Sequence, residues 1–430
     1  MDTARRWSTA CRPLKTTSSP ANYRANSCAA RSLSRGALRR LIVAFCATLL
    51  VLGACASDQA PFGSSAPTSL VASTAAPTSM PASTVAPTSV PSRDQQFTIA
   101  VSGDILPHSR LWRGAAENAA NTGYDFRPMF ELVKPTISSV DLAICHLETP
   151  IAPADEKLST YPFFGVPAQI TDAIADAGFD RCSLASNHAM DRGVKGIDAT
   201  LAALDRNGVS HAGMARNPEE IEPKIFQVNG VQVAHLSYTF SYNGLPAAGG
   251  QAWRSALINP ERIIRDTRKA KTLGAQVVLV SMHWGNEREW APTGYQRRIA
   301  DEITRDGDID LIIGSHAHVL QPIEKVNDTW VIYGLGNFLS DMPTTPKDPP
   351  WPASTQDGAI VTASVTVSRS GEIVVAQPVV APTWVDKNAG WQIRLVQADL
   401  ENQDLPVTTR TALYQSLRRT KKVLADFIAD

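Results

Sequence analysis

Hydrophobic and polar positions change texture near residue 97 of this 430-residue chain. From there, Phe97–Ser102, Asp141–Glu148, Arg181–Asn187, Gln276–His283 and Asp310–Ser315 are apolar runs that end in polar clusters. That pattern predicts strands buried on both faces. Between them, Gln169–Ala177, Ile197–Asn207, Glu261–Leu273 and Gln296–Asp306 have helical periodicity, with Ile197, Leu201 and Leu204 on one face. Alternation of this kind predicts stacked α/β layers. Asn229-Gly230 between two apolar runs, Ile225–Val228 and Val231–Ser237, predicts a hairpin. Further strands are expected at Ile323–Val326, Trp330–Tyr333, Ala359–Val367 and Glu372–Val380, and an amphipathic helix from Thr408 to Phe427. The later part therefore looks more antiparallel, giving mixed sheets.

The first ninety-odd residues have neither period. Arg31, Arg35, Arg39 and Arg40 precede the apolar run Leu41–Leu52, which is too short to span a bilayer comfortably. A basic region followed by such a run is the pattern of a signal peptide, and Leu52-Gly53-Ala54-Cys55 resembles a bacterial lipobox. On this reading residues 1–54 are the signal with an extended basic region, and Cys55 carries the lipid. An uncleaved signal anchor is the alternative. Residues 55–96 form an Ala/Pro/Ser/Thr-rich tether in which Ala66-Pro67-Thr68-Ser69 recurs from Ala76 and Ala86. So few large apolar groups do not offset the entropy of ordering. Residues 97–430 then form one folded domain, exported to the outer face of the cytoplasmic membrane.

Composition changes this picture little. Lys plus Arg equals Asp plus Glu at 41 each, so nucleic acid is not an expected partner. Of the six cysteines, only Cys145 and Cys182 belong to the folded part on this reading. A disulfide is permitted outside the cytosol, but adjacent buried strands also house free thiols, and two free cysteines are expected.

Chemistry-bearing residues collect at five predicted strand ends: Gly103-Asp104, His146-Leu147-Glu148, Ser186-Asn187-His188, His283-Trp284-Gly285 and Gly314-Ser315-His316-Ala317-His318. Loops at the carboxyl ends of strands converge above an α/β sheet, so these residues form a credible site for one or two divalent metals. Mixed nitrogen and oxygen donors suit zinc, manganese or iron. Taken singly each feature has a plainer explanation. Gly-Asp is common in turns, His146 and Glu148 suit a solvated loop, and Asn187-His188 suits a helix cap.

In combination, and in this order, the motifs resemble the CapA-like family of capsule and poly-γ-glutamate biosynthesis proteins. They are Ser102-Gly103-Asp104-Ile105-Leu106, Leu147-Glu148-Thr149-Pro150, Ser183 to His188 with Asp191 and Gly193, His283 to Glu287, Gly314 to Val319 with Gln321 to Glu324, and Tyr333 to Phe338. The family is similar to calcineurin-like metallophosphoesterases, which implies a four-layer α/β/β/α sandwich with mixed sheets. The resemblance makes Asp104, Glu148, Asn187, His283, His316 and His318 metal ligands and His188 a general acid. It implies two ions roughly 3.5–4 Å apart that clamp an in-line displacement. Glu287, Glu324 and Asn337 match positions that orient ligands or substrate.

Two departures stand out. The phosphoesterase pattern has a His two residues after the first Asp, where this chain has Leu106, and relatives often have Asn where His146 stands. His146 is left as a residue that lines the site, orients a ligand or replaces one. His108 is expected to be an exposed bystander, His211 and His235 to be structural, and Trp284, Tyr161, Phe163 and Phe164 to be packing or groove residues. The function implied is an extracytoplasmic metal-dependent hydrolase or transferase acting on an anionic cell-envelope polymer or its precursor, beside the synthesis and export machinery. The alternative is a non-catalytic tethered module that binds the polymer or organises its export.

Overall fold

The computed structural model describes residues 93–342 and 351–428. The signal segment, Cys55 and the repeated tether lie outside the described residues. Strands follow in chain order as β1 (Gln95–Leu106), β2 (Leu142–Leu147), β3 (Arg181–Ser183), β4 (Ser210–Ala212), β5 (Ile225–Val228), β6 (Val231–Thr239), β7 (Val277–His283) and β8 (Leu311–Ser315). Then come β9 (Ile323–Val326), β10 (Thr329–Ile332), β11 (Asn337–Ser340), β12 (Asp357–Val367), β13 (Ile373–Val375), β14 (Val379–Asp386) and β15 (Gln392–Leu395). One sheet has the order β15-β14-β12-β1-β2-β3-β4, with β11 beside β1 and β13 beside β12; the other has the order β5-β6-β7-β8-β10-β9. Both are mixed. Strands β1 to β4 and β6 to β8 pair in parallel, whereas β12 to β15 and the β5–β6 hairpin pair antiparallel.

The apolar runs are continuous because each sheet is covered twice. Phe97, Ile99 and Val101 of β1, Leu142 and Ile144 of β2, Val277 and Leu279 of β7, and Leu311 and Ile313 of β8 meet in the core between the sheets. The alternate residues face outward. Ala143 and Leu147 pack with Leu111 of α1 (Ser109–Asn118) in one outer core. The short helices α2 (Arg127–Phe130) and α3 (Lys134–Ile137), then α4 (Ile170–Asp176) and α5 (Gly193–Arg206), complete that layer. Val278, Val280 and Ile312 pack beneath α6 (Pro260–Thr272) and α7 (Gly294–Thr304). The result is the expected four-layer sandwich. Helix starts have local causes: the Asn259 side chain accepts from the Arg262 amide, and Thr293 with Gln296 forms a reciprocal capping box. At the C-terminus, α8 (Val396–Glu401) and α9 (Val407–Leu424) cover β14, burying Leu413 against Trp384.

The structure corrects several expectations. Cys145 and Cys182 are not free thiols but form a disulfide. They are direct register partners on parallel β2 and β3, with Cα atoms 4.5 Å apart, so both sulfurs leave the same face at bonding reach. The expected strand Arg181–Asn187 stops at Ser183, because Leu184–His188 turns away to deliver its polar end. The expected strand Glu372–Val380 splits into β13 and the start of β14 around Ala376–Pro378. Asn187 and His188 cap no helix, since α5 begins at Gly193 and Arg192 occupies its N-cap.

Candidate metal centre

Toward the carboxyl ends of β2, β7 and β8, the row of side chains facing the inter-sheet core changes from aliphatic to polar. On β2 that row runs Leu142, Ile144, His146; on β7 it ends at His283 and on β8 at Ser315. Asp104 joins this row through a β-bulge. Val101 pairs with Ile144 and Asp104 with His146, so β1 carries one extra residue between them. A bulge re-aims the side chains beyond it, and here it turns Asp104 toward the histidines. Gly103 sits in the bulge because a Cβ there would collide with the Leu335 and Gly336 carbonyl oxygens.

All six expected ligands converge, and all are buried. Asp104 Oδ2 is 3.1 Å from His318 Nδ1. Glu148 Oε1 is 3.8 Å from His318 Nε2 and 3.9 Å from His283 Nε2. Asn187 Oδ1 is 2.8 Å from His283 Nε2, whose ring centroid is 4.7 Å from that of His316. Two groups of donor atoms, Asp104/His146/His283 and Glu148/His316/His318, each lie within 4.8 Å of one another. His316 (φ 91°) and His318 (φ 56°) both have left-handed backbone. Non-glycine residues adopt that region at a cost of order 1–3 kcal/mol, and such strain gathers at functional sites.

The donor set fits a divalent metal on an observation independent of the motif. Both Glu148 oxygens, His146 Nε2 and His316 Nδ1 are buried with no hydrogen-bond partner. Buried polar atoms are rarely left so, and a cation would occupy those lone pairs. Electrostatics point the same way. Burial is the largest influence on Asp104 and works upward, but the hydrogen bond and charge of His318 outweigh it and hold the carboxyl below its ordinary value. Burial pushes Glu148 well above its ordinary value. Burial also lowers His316 to about 3 and His146 to about 4, and drives His283 well down. His318 goes the other way: Glu148 and Asp104 overcome its burial and raise it to about 10. Without metal, His318 therefore retains a proton that a cation must displace. Apparent Zn²⁺ affinity should rise from about pH 6 to about pH 9, read by competition with a chromophoric chelator. A flat profile would contradict this assignment.

His188 lies beside the cluster. Its Nδ1 is 2.7 Å from Asp191 Oδ2, which also accepts from the Phe164 amide at 2.7 Å. The Phe164 ring meets His188 edge-on at 4.7 Å. Asp191 belonged to the sequence motif without a role; its spacing three residues after His188 was the available signal. A cavity of about 410 Å³ opens beside His188, Glu287 and His318 and extends past Tyr161 and Trp351 to Arg113. His108 is not the exposed bystander expected. It is buried in the cavity wall, where its Nδ1 accepts from the Asp341 amide at 3.4 Å, and burial lowers it to about 3.

The orienting residues divide. Asn337 Oδ1 is 3.0 Å from His318 Nδ1, in position to orient that ring. Glu287 lines the cavity, whereas Glu324 is an outer partner of Arg297. Ser315 holds His283 Nδ1 at 3.1 Å, a contact that sequence reasoning missed. His211 pairs with Asp205 and His235 with Ser281, both outside the two donor groups. Trp284 is fully buried core, and Tyr161 and Phe163 are exposed.

Fold and site together define the class: a four-layer α/β/β/α protein with a buried cluster of histidines and carboxylates at the strand ends. Residues 98–342, more than half the chain, match the family described as bacterial capsule synthesis protein PGA_cap, and the chain belongs to that family. It is 28% identical over 276 residues to the capsule biosynthesis protein CapA of Bacillus anthracis, covering 62% of this chain and 64% of that one. It is 30% identical over 291 residues to the PGA biosynthesis protein CapA of Bacillus subtilis, covering 66% and 71%. The chain thus spans just under two thirds of the Bacillus anthracis relative. Among solved structures, the calcineurin-like phosphoesterase YfkN of Bacillus subtilis is a looser likeness. Its TM-score is 0.41 at 13% identity, covering 76% of this chain and 98% of that one.

Proposed function

We propose that the protein is a metal-dependent hydrolase or transferase that acts on an anionic capsule or cell-envelope polymer, such as poly-γ-glutamate, or on its precursor. The observation that carries this reading is the placement of the His188–Asp191 pair and an open cavity directly beside six converging ligand-type side chains. Asp104, Glu148, Asn187, His283, His316 and His318 would hold one or two divalent ions. Metal bound there supplies Lewis acidity toward the scissile group. Asp191 fixes the orientation of His188, whose Nε2 delivers a proton to the leaving atom. Arg113 at the cavity rim suits an anionic substrate. The test is turnover of phosphodiester and γ-glutamyl amide model substrates by protein of known metal content. Turnover of either that depends on metal supports the enzyme. A metal-loaded protein that turns over neither and yet binds the polymer supports the tethered binding module instead.

The same reading places the protein outside the cytosol, anchored by lipid on Cys55, beside polymer synthesis and export machinery. The Cys145–Cys182 disulfide supports it, because such bonds persist in oxidising compartments. Cys55→Ser should release the protein from membranes or leave an unprocessed precursor. A fully processed, membrane-bound C55S product on fractionation would overturn the anchor.

A further inference from the structure

We propose that His146 is itself a metal ligand through Nε2, replacing the imidazole that the phosphoesterase pattern places at the position of Leu106. This rests on the metal-site reading above and adds to it a donor outside the six expected ones.

Three observations converge on that atom. The first is position. His146 is the register partner of Asp104 across β1 and β2, and it shares with Asp104 and His283 a group of donor atoms within 4.8 Å. Leu106 is unavailable for the task, being an aliphatic member of the outer core. The second is the hydrogen-bond inventory. The Ser183 hydroxyl lies 2.8 Å from His146 Nδ1 and 3.2 Å from the Cys145 carbonyl oxygen. With the Ser183 hydroxyl donating to the Cys145 carbonyl, which can only accept, Ser183 accepts from His146 Nδ1–H. A neutral imidazole protonated at Nδ1 has a bare lone pair at Nε2. The third is that Nε2 is buried without any hydrogen-bond partner in a residue only 3% exposed. A ligating histidine has this arrangement, one nitrogen held by an oxygen acceptor and the other free for the cation.

The neighbouring bonds hold the pair in place. His146 and Ser183 are register partners immediately beyond the Cys145–Cys182 disulfide, so the covalent link fixes the two strands where the imidazole and hydroxyl must meet. The rival role for His146 is to support His283, whose ring lies 4.9 Å away in a tilted stack.

The two roles separate by metal affinity. Full-length folded domain is dialysed against Zn²⁺, bound metal is counted by elemental analysis, and the visible spectrum of the Co²⁺-loaded form is recorded. Ser183→Ala removes only the acceptor that orients the ring, and should weaken binding by roughly 10–100-fold. His146→Ala should weaken it further than S183A and change the Co²⁺ bands through loss of a nitrogen donor. His146→Gln repeats the measurement should H146A fold poorly, judged by melting of the metal-free protein. Affinity in the folded His146 variant equal to wild type, or reduced no more than in S183A with unchanged Co²⁺ bands, would overturn the ligand role while leaving the metal centre intact. A wild-type protein that binds no divalent metal would instead remove the centre and this ligand together.

Discussion

His188→Ala should lose about a hundredfold to ten-thousandfold in turnover, the span of a lost general acid, while keeping its fold and metal. The histidine is not among the six converging ligands, and its Nδ1 is committed to Asp191 at 2.7 Å. With that nitrogen held, the other ring nitrogen is the one able to exchange a proton in the cavity. Asp191→Asn should reproduce part of the loss by releasing the ring from its orientation, as when a supporting carboxylate is replaced in other catalytic histidine pairs. The cap explanation predicted a stability loss of about 1 kcal/mol and normal activity, but α5 starts beyond reach of Asn187 and His188. Steady-state rates, elemental analysis and thermal melting on the same sample decide the matter. A folded, metal-loaded H188A protein with unaltered turnover sinks the acid role and favours the binding module.

The second large effect is at Glu148, where two readouts should move in opposite directions. Glu148→Leu should abolish tight metal binding and turnover, because this carboxylate lies between His283 and His318. The metal-free protein should nevertheless become more stable at neutral pH, by roughly 1–3 kcal/mol, the penalty of a buried carboxyl without hydrogen-bond partners, because Asp104 at 3.1 Å remains as the counter-charge of His318. The sign follows from the upward shift of this carboxyl. Its folded form prefers a proton that the unfolded chain gives up above the ordinary value of 4.5. The native state is therefore penalised increasingly as pH rises through that region, and less so below it. Chemical denaturation of stripped protein near about pH 4 and near about pH 7.5 should show the E148L advantage only at the higher value. A destabilised apo variant at both pH values would mean that Glu148 has packing or hydrogen-bonding partners in the fold.

Much of the architecture was legible in one dimension, and for a specific reason. A strand covered on both faces must be apolar at successive positions, so β1, β2, β7 and β8 announce themselves as runs, and their polar ends mark where coverage stops. Helices α5, α6 and α7 show their buried stripes in the same direct way. Short elements were invisible. The strands β11 and β15 are four residues long and exist through pairing with neighbours, which local pattern does not encode.

For the site, residue type and strand-end position marked the cluster, and the family resemblance singled out the six candidate ligands and His188 within it, before any contact was known. Their partners were decided by the tertiary structure alone. Ser183 lies 37 residues from His146, Ser315 lies 32 from His283, and Asn337 lies 19 from His318. A serine or asparagine carries no mark of such a duty until two strands come into register. Whether Cys145 and Cys182 pair was likewise open, since spacing leaves both states possible and only register brings the sulfurs together. The aim of Asp104 needed the tertiary structure most. In a regular β1 its place in the alternation would turn it away from the inter-sheet row; one bulged residue, accommodated because Gly103 has no Cβ, turns it toward the histidines.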